Sequence, residues 1–296
     1  MRPEIYRRAI VAALMILPII ASACQAEPTR TLILLPQAKA PAQRIFDAII
    51  EGIGQILPDS TFLTVDKRMQ PDQLDSVLSA ANPERIIVLG RTTADRIAST
   101  SHRDKMVVAG ALFEPDEFAG VTLAIDSRRL LQEIKTILPS LRRVFIVGSP
   151  RQLHIRIYPD SLNSQPSIVP ELHQDPLTHS RRLWQLLEQA DQKTDAVLVP
   201  SQLDRDILYE LAQLAWQKKI ILLSTNLAHL NQGVLMVFYP DNIGMGRQVG
   251  NFTIQHPGPG FESLTHIHIA LNPTVAKHLG LSFAPDVLSR IQLQVK

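Results

Sequence analysis

The chain has 296 residues, of which 45% are hydrophobic and 20% are charged, and its formal net charge is +2. This length allows one large hydrophobic core or two smaller ones. Because no stripe of Lys and Arg alternates with aromatic residues, the sequence gives no reason to expect a nucleic-acid partner. The single cysteine excludes an internal disulfide and any metal site built from several cysteines.

The first 23 residues have the pattern of a secretory signal peptide. Three arginines precede an apolar run at residues 9–23, which Pro18 interrupts and which is too short for a good membrane span. Two alternatives stay open for Cys24, which follows this run. It is either an ordinary residue beside a signal-peptidase site or the lipid-bearing cysteine of a lipobox, which residues 21–24 resemble. Both predict an exported, periplasmic protein, and the second predicts a lipid anchor.

Over residues 31–109, short apolar runs alternate with segments whose apolar residues recur at helical spacing. The runs predict strands at residues 31–35, 61–65, 86–89 and 106–109. The intervening segments predict helices at residues 42–57, from Pro71 onward, and after Gly90 to about residue 99. Four strands alternating with three helices are typical of one doubly wound α/β lobe.

A second alternating set follows residues 118–121, which we interpret as the beginning of an extended crossover. Its predicted strands are residues 144–147, 167–172, 196–199, 220–223, 234–239 and 266–271. Its predicted helices are residues 127–138, 180–190, 201–219, a helix opened by Asp241 or Asn242, and residues 273–279. Ser201 and Asp204 have the spacing of a capping box at one helix start. Residues 149–166 predict no helix, because three prolines interrupt them.

We therefore expect an α/β fold with two doubly wound parallel-sheet lobes joined by crossovers. The first lobe is expected to contain residues 30–120 and 240–262, and the second to contain residues 121–239 and 263–296. Near-continuous apolar strands support this expectation, because they are typical of parallel sheets covered by helices on both faces.

Polar residues follow several of the predicted strands. Ligands of open α/β sheets bind at the carboxyl ends of the strands, so these residues are the candidate ligand-binding set. The set is Gln37, Thr92, Ser149, Ser201, Gln202, Asn226, Tyr239 and Asp241. Tyr239 has two interpretations, a ring that stacks on the ligand or a half-buried residue of a crossover.

Short motifs in a consistent order resemble the ABC-transporter substrate-binding family, and more narrowly its branch for tryptophan- and tyrosine-type uptake. They lie at residues 90–92, 119–121, 195–201, 232–235, 246–248 and 271–281, the last being the most specific. The resemblance implies a type 1 periplasmic binding protein fold, in which two α/β lobes close on a small ligand. It also implies a membrane permease as the partner.

Two departures from this family fall where the resemblance places the cleft. Residues 149–166 stand in place of a long helix, and Gln202 stands where the family often has Asp. The lobe architecture carries over despite these changes, but an amino-acid ligand carries over poorly. The departures motivate a second hypothesis, in which the chain is a ligand-sensing or adaptor subunit of a membrane receptor with a degenerate cleft.

Other motifs have simpler interpretations. Gly244, Gly246 and Gly250 partly match a dinucleotide fingerprint, but they lie within a predicted helix, which favours close helix packing over cofactor binding. His266 and His268 share one face of a strand and need a third ligand to hold a metal, so an exposed strand face is the preferred interpretation. No nucleophile elbow, zincin or P-loop motif occurs.

Three functions follow from these observations. The first is a monomeric solute-binding protein, without cofactor or metal, that captures a small organic ligand for an importer. The second is the sensing or adaptor subunit. The third is an exported enzyme, which no motif supports.

Overall fold

A computed structural model describes residues 31–148, 153–172, 175–255 and 260–295. The expected signal peptide, Cys24 and Ser149 lie outside the described residues. Within them the chain forms two separate seven-stranded sheets, each flanked by helices. The predicted α/β fold with two parallel-sheet lobes is confirmed.

Strand bounds follow the predicted ones closely over residues 31–109 and diverge later. The strands are β1 (Thr31–Pro36), β2 (Thr61–Val65), β3 (Arg85–Leu89), β4 (Met106–Ala109), β5 (Gly120–Asp126), β6 (Arg143–Gly148), β7 (Ile155–Arg156), β8 (Ser167–Leu172), β9 (Asp195–Leu198), β10 (Ile221–Ser224), β11 (Met236–Pro240), β12 (Phe261–Leu264), β13 (Ile267–Leu271) and β14 (Leu293–Gln294). Among these, β7, β12 and β14 were not predicted, and β5 was interpreted only as an extended crossover.

Helices cover the faces of both sheets. They are α1 (Ala42–Ile56), α2 (Pro71–Ala81), α3 (Arg91–Ile97), α4 (Ser127–Ile137), α5 (Pro176–Gln189), α6 (Arg205–Lys218), α7 (Asn242–Gln255), α8 (Pro273–His278) and α9 (Pro285–Leu288). Pro71 occupies the first turn of α2, as the sequence predicts. The sequence leaves Asp126 and Ser127 as alternative caps of α4, and in the structure Asp126 accepts a hydrogen bond from the Arg128 N–H.

The predicted capping box at Ser201 is wrong. Helix α6 begins at Arg205, and the Asp204 carboxylate accepts hydrogen bonds from the Asp206 and Ile207 N–H groups, at 2.8 and 3.4 Å. Asp204 therefore satisfies the free donors of the first turn itself, as an N-cap, and the helix starts three residues later than expected.

The two sheets have similar strand orders. The first has the order β12-β5-β4-β3-β1-β2, with β7 also paired to β5, and the second has the order β14-β13-β11-β10-β9-β6-β8. Every pairing is parallel except that of β11 with β13. In each lobe the strand order reverses next to the first strand, which is the doubly wound pattern.

The sheet topology places the lobe crossings a few residues later than the expected division. All of β5 lies in the first sheet, so the chain first crosses at Asp126 and Ser127 rather than at residue 120. Strand β12 also lies in the first sheet, so the last crossing follows Leu264. One cluster of buried apolar residues continues from the first sheet into the second across these crossings.

The packing of α1 against α7 depends on glycine. A Cβ atom added to Gly246 would lie 2.1 Å from the Ile49 carbonyl oxygen and 2.8 Å from the Gly52 Cα. A Cβ on Gly52 would in turn lie 2.0 Å from the Ile243 carbonyl oxygen. The two helix backbones are in direct contact, so close helix packing, the interpretation preferred from the sequence, explains these glycines.

Among the described residues, no helix combines the length and the apolar character that crossing a membrane requires.

We expect Gly246→Ala to lower the free energy of unfolding by about 3 kcal/mol, because the added methyl group must push α1 and α7 apart. Gly54→Ala is the matched control. Gly54 lies in α1, the partner helix of the contact, its Cβ would contact nothing within 4 Å, and alanine is favoured over glycine in a helix by up to about 1 kcal/mol. Urea unfolding of both variants tests the contact, and equal stabilities would contradict it.

Candidate functional site

A cavity of about 960 Å³ opens where strands of the first sheet end. This volume is at the upper end of the range of small-molecule sites. Its walls come from the loops after β3 and β4, from β5 and β12, from residues 153–157, and from the end of β8 in the second sheet. The cavity thus lies at the carboxyl edge of the first sheet, where α/β sheets bind ligands.

Five consecutive residues of the β6–β8 connection form one wall of this cavity. Although β6 and β8 belong to the second sheet, the connection leaves that sheet and pairs β7 with β5 of the first. The Ile125 N–H donates to the His154 carbonyl oxygen at 2.9 Å. Leu153 and Ile155 are 1% and 4% exposed and belong to the shared core. We call residues 153–163 the strap.

Polar contacts fix the strap beside the first crossing. The Tyr158 N–H donates to the Ser127 hydroxyl oxygen at 3.0 Å, and the Ser127 hydroxyl pairs with the Ser161 hydroxyl at 2.5 Å. The Tyr158 hydroxyl lies 3.0 Å from the Ser263 hydroxyl of β12. The Arg128 guanidinium stacks over the Tyr158 ring at 4.0 Å. The strap is therefore hydrogen-bonded to the first crossing, through Ser127, and to β12 just before the last crossing, through Ser263.

Four charged side chains line the cavity in two pairs. Arg91 donates to both carboxylate oxygens of Glu117, at 3.1 and 3.2 Å, and its Nε donates to Asp95 at 2.9 Å. The hydrogen bonds that Arg91 donates to Glu117 raise the pKa of Arg91 above its ordinary value. Arg156 of the strap pairs with Glu114. Because two cations face two anions, the formal charges of these four side chains cancel.

Uncharged groups complete the lining. Phe113 and Phe261 meet edge to face with ring centroids 5.8 Å apart. Burial lowers the pKa of His154, so its imidazole is neutral at pH 7. Within the described residues, His154 Nε2 is buried without a hydrogen-bond partner. The site therefore combines aromatic surface with neutral and paired charged groups, a composition suited to an organic ligand that has an apolar body.

The candidate residues of the first lobe lie at exposed strand ends. Gln37 follows β1 and its N–H donates to the Val65 carbonyl oxygen at 3.3 Å. Thr92 is exposed in the first turn of α3, directly after Arg91. Neither lines the cavity, although Arg91, in the same turn of α3 as Thr92, does.

In the second lobe, the structure brings Ser201 and Asn226 together. Asn226 Nδ2 donates to the Ser201 carbonyl oxygen at 2.8 Å, and Asn226 Oδ1 caps the turn that follows β10. The buried His229 ring extends this network, with Nδ1 at 2.8 Å from the Ser224 hydroxyl and Nε2 at 3.3 Å from Asn226 Nδ2. Gln202 is exposed beside Ser201.

Tyr239 and Asp241 lie at the second crossing, which follows β11, and both contact His268. Tyr239 is half-buried and packs edge to face on His268, its partner in the antiparallel ladder, at 5.5 Å. Asp241 accepts a hydrogen bond from the Gly244 N–H at 2.9 Å and lies 3.6 Å from His268 Nε2. The second interpretation of Tyr239, a half-buried crossover residue, describes this position.

The strap residues of the cavity wall were missed from the sequence, although a signal was present. Leu153, Ile155 and Ile157 alternate with polar residues, which is the period-2 pattern of a half-buried strand. Prolines on either side interrupt this alternation, so residues 149–166 were predicted only to lack a helix.

No group of three or more His, Cys, Asp or Glu side chains among the described residues is placed to hold a metal ion. His266 and His268 lie near Asp241, but these three do not form such a group.

The sequence matches no family model, and it matches no curated protein. Solved structures do resemble the chain. The ligand-free, open structure of CD0873, a substrate-binding protein with adhesive properties from Clostridium difficile, covers 90% of this chain and 99% of its own, with TM-score 0.61 and 12% identity.

A mutant XylFII–LytSN complex matches over 82% of this chain and 98% of its own, with TM-score 0.52 and 14% identity. At these identities the likeness establishes the fold. The chain has the type 1 periplasmic binding protein fold. A pneumococcal domain in complex with L-Trp matches at TM-score 0.48, which carries no argument about the ligand.

We expect Tyr158→Phe to destabilise the protein by about 1 kcal/mol, because it removes the hydroxyl that ties the strap to Ser263. Tyr209→Phe is the control, because Tyr209 is 60% exposed on α6, and we expect it to change little. Denaturant unfolding of Tyr158→Phe, Ser263→Ala and the double variant measures the coupling between the two hydroxyls. Strictly additive effects would show that the bond contributes nothing.

We expect the protein to lose stability as the pH falls below about 6.5, the pKa of an unfolded histidine. Burial lowers the pKa of His229, so protonation favours the unfolded chain, and the contribution is present above that pH and lost below it. His229→Gln should reduce the slope of unfolding free energy against pH by up to about 1.4 kcal/mol per unit. Above pH 8, the difference in unfolding free energy between the two proteins measures only the hydrogen bonds that the substitution removes. Parallel curves of unfolding free energy against pH would contradict the assignment of the pH dependence to His229.

Proposed function

We propose that the chain is an exported solute-binding protein that holds one small organic ligand between its two lobes. The observation that carries this proposal is the cavity at the carboxyl edge of the first sheet, walled by both lobes and lined by aromatic, neutral and paired charged groups. Its volume and composition suit a ligand with an apolar body and few polar groups.

Lobe closure supplies the binding mechanism. The three crossings that follow β5, β11 and β12 are the positions about which the lobes rotate, and closure around a ligand excludes water from its polar contacts. The polar residues at the strand ends, Gln37, Thr92, Ser149, Ser201, Gln202, Asn226, Tyr239 and Asp241, are proposed as the groups that closure brings to the ligand. A ligand that prefers the closed state stabilises it by its difference in affinity.

The cellular role is proposed by analogy. CD0873, which has the same fold, is described as a substrate-binding protein. We propose delivery of the ligand to the permease of an ABC importer in the tryptophan- and tyrosine-type branch or a relative of it. The amino-terminal pattern supports export, and Cys24 is the proposed lipid attachment site if the lipobox is used.

One observation favours the sensing or adaptor role as a second candidate. The strap pairs with the first sheet while belonging to a connection of the second, which adds main-chain bonds across the cleft edge. A protein of the same fold forms the XylFII–LytSN complex. A restrained cleft that docks on a membrane partner would use the ligand to change its surface rather than to transport it.

Thermal unfolding of residues 25–296 against a panel of amino acids, nucleosides and small organic acids tests the proposal. A ligand at about 100 times its dissociation constant should stabilise the folded state by about 2.7 kcal/mol, which is a shift of several degrees. Ala124→Phe places a ring in the cavity and should abolish the shift. Ala80→Phe on the exposed face of α2 is the control and should keep it.

A flat response of the wild-type protein to the whole panel would contradict solute binding and ligand sensing alike, and would leave only an adaptor whose cleft is degenerate. A shift that survives Ala124→Phe would place the ligand elsewhere on the molecule.

A further inference from the structure

The two ion pairs of the cavity are not equivalent. The Arg91–Glu117 pair is closed, because Glu117 accepts from two nitrogens of Arg91 and also from the Glu114 N–H at 2.9 Å. Arg91 in turn has Asp95 on its Nε. A ligand that replaced Glu117 would have to break several hydrogen bonds at once.

The Arg156–Glu114 pair is held by fewer hydrogen bonds. Among the described residues, Arg156 donates one hydrogen bond, from Nη1 to Glu114 Oε2, and its guanidinium lies 5.4 Å from the centre of the Phe261 ring. The two side chains are 37% and 41% exposed. An exposed pair of this kind gives little net stability, so its carboxylate can be exchanged at small cost.

The position of Arg156 is fixed by the backbone rather than by Glu114. Arg156 lies on β7, whose ladder with β5 pairs it with Asp126. Glu114 lies on the loop after β4 and has no such ladder. If Glu114 moves away, Arg156 stays at the cavity wall with its planar fork of donors available, which is the geometry that binds a carboxylate through two parallel hydrogen bonds.

The side chains around Arg156 indicate the chemical character of the part of the ligand that adjoins its carboxylate. Phe261, Phe113, Ile155 and Leu172 give the neighbouring walls an apolar character. The neutral His154 on the same strap adds one polar group without charge. These walls suit an aromatic or aliphatic body attached to the carboxylate.

Resting on the proposed function, we propose that Arg156 is the anchor for the carboxylate of an apolar organic acid, and that Glu114 occupies this position until the ligand displaces it. Glu114 is then an internal competitor on a loop, and the strap carries the residue that determines specificity. The subsite belongs to the first lobe and exists before the lobes close.

Isothermal titration with matched probes tests this assignment. 3-Phenylpropanoate and hexanoate are the acids, their primary amides are the uncharged analogues, and phenylalanine adds an ammonium group. The proteins are wild type, Arg156→Gln, Glu114→Gln and the control Arg44→Gln, which lies on the exposed face of α1. Circular dichroism and melting curves establish that each variant is folded.

We expect wild type to bind the acids at least about tenfold more tightly than the amides, since each lost charge-assisted contact is of that order. Arg156→Gln should remove this preference while leaving amide binding unchanged. Glu114→Gln should tighten acid binding several-fold, because the competitor and its negative charge are gone. Arg44→Gln should behave as wild type.

Equal binding of acids and amides, or unchanged acid binding by Arg156→Gln, would overturn the assignment. Tighter binding of phenylalanine than of 3-phenylpropanoate, lost in Glu114→Gln, would make Glu114 an ammonium partner and overturn its displacement. If other compounds of the wider panel shift the melting temperature and none of the acids binds, solute binding stands and the carboxylate subsite falls. If nothing binds, the proposed function falls.

Discussion

The main-chain pairing of β7 with β5 carries more of this structure than its two residues suggest. It holds a connection of the second sheet against the first sheet, where Leu153 and Ile155 enter the core shared by both lobes. The cavity wall and the position of Arg156 both follow from it. A backbone ladder is suited to this purpose, because its register places side chains on fixed faces independently of their own contacts.

The ion pairs of the molecule are of two kinds, those with one fully buried partner and those with two partly exposed partners. The fully buried Asp195 is held by two nitrogens of Arg143, at 2.9 and 2.7 Å, and joins β6 to β9 inside the second sheet. The Arg143 side chain is itself half-exposed, but the carboxylate that it holds is fully buried, so removing Arg143 would leave an unpaired charge in the interior. In the cavity pairs, both partners are instead partly exposed. Water already screens them, so exchanging a partner there changes little in the stability of the fold.

The two-lobe architecture could be predicted from the sequence because parallel strands that are buried on both faces appear there as continuous apolar runs. Residues 106–109, all of them buried, were predicted to the residue. The sequence was insufficient for the cap of α6, where two polar residues compete and only geometry decides. It was also insufficient for the strap, because β7 is short and its partner β5 was interpreted as a crossover. The alternation of apolar and polar residues at 153–157 indicates a strand, but nothing local in the sequence indicates that its partner is β5.

The glycine contact between α1 and α7 has a consequence for how the chain acquires its structure. Ile49, Gly52 and Ile53 of α1 are buried by a helix that begins at Asn242, so nearly 200 residues separate two elements of one lobe. During synthesis the first sheet therefore emerges with an apolar helix face uncovered, while the second lobe, continuous in sequence apart from its last strands, can assemble ahead of it. Completion of the first lobe must wait for α7, so the apolar face of α1 stays exposed to misassociation until α7 has been synthesised.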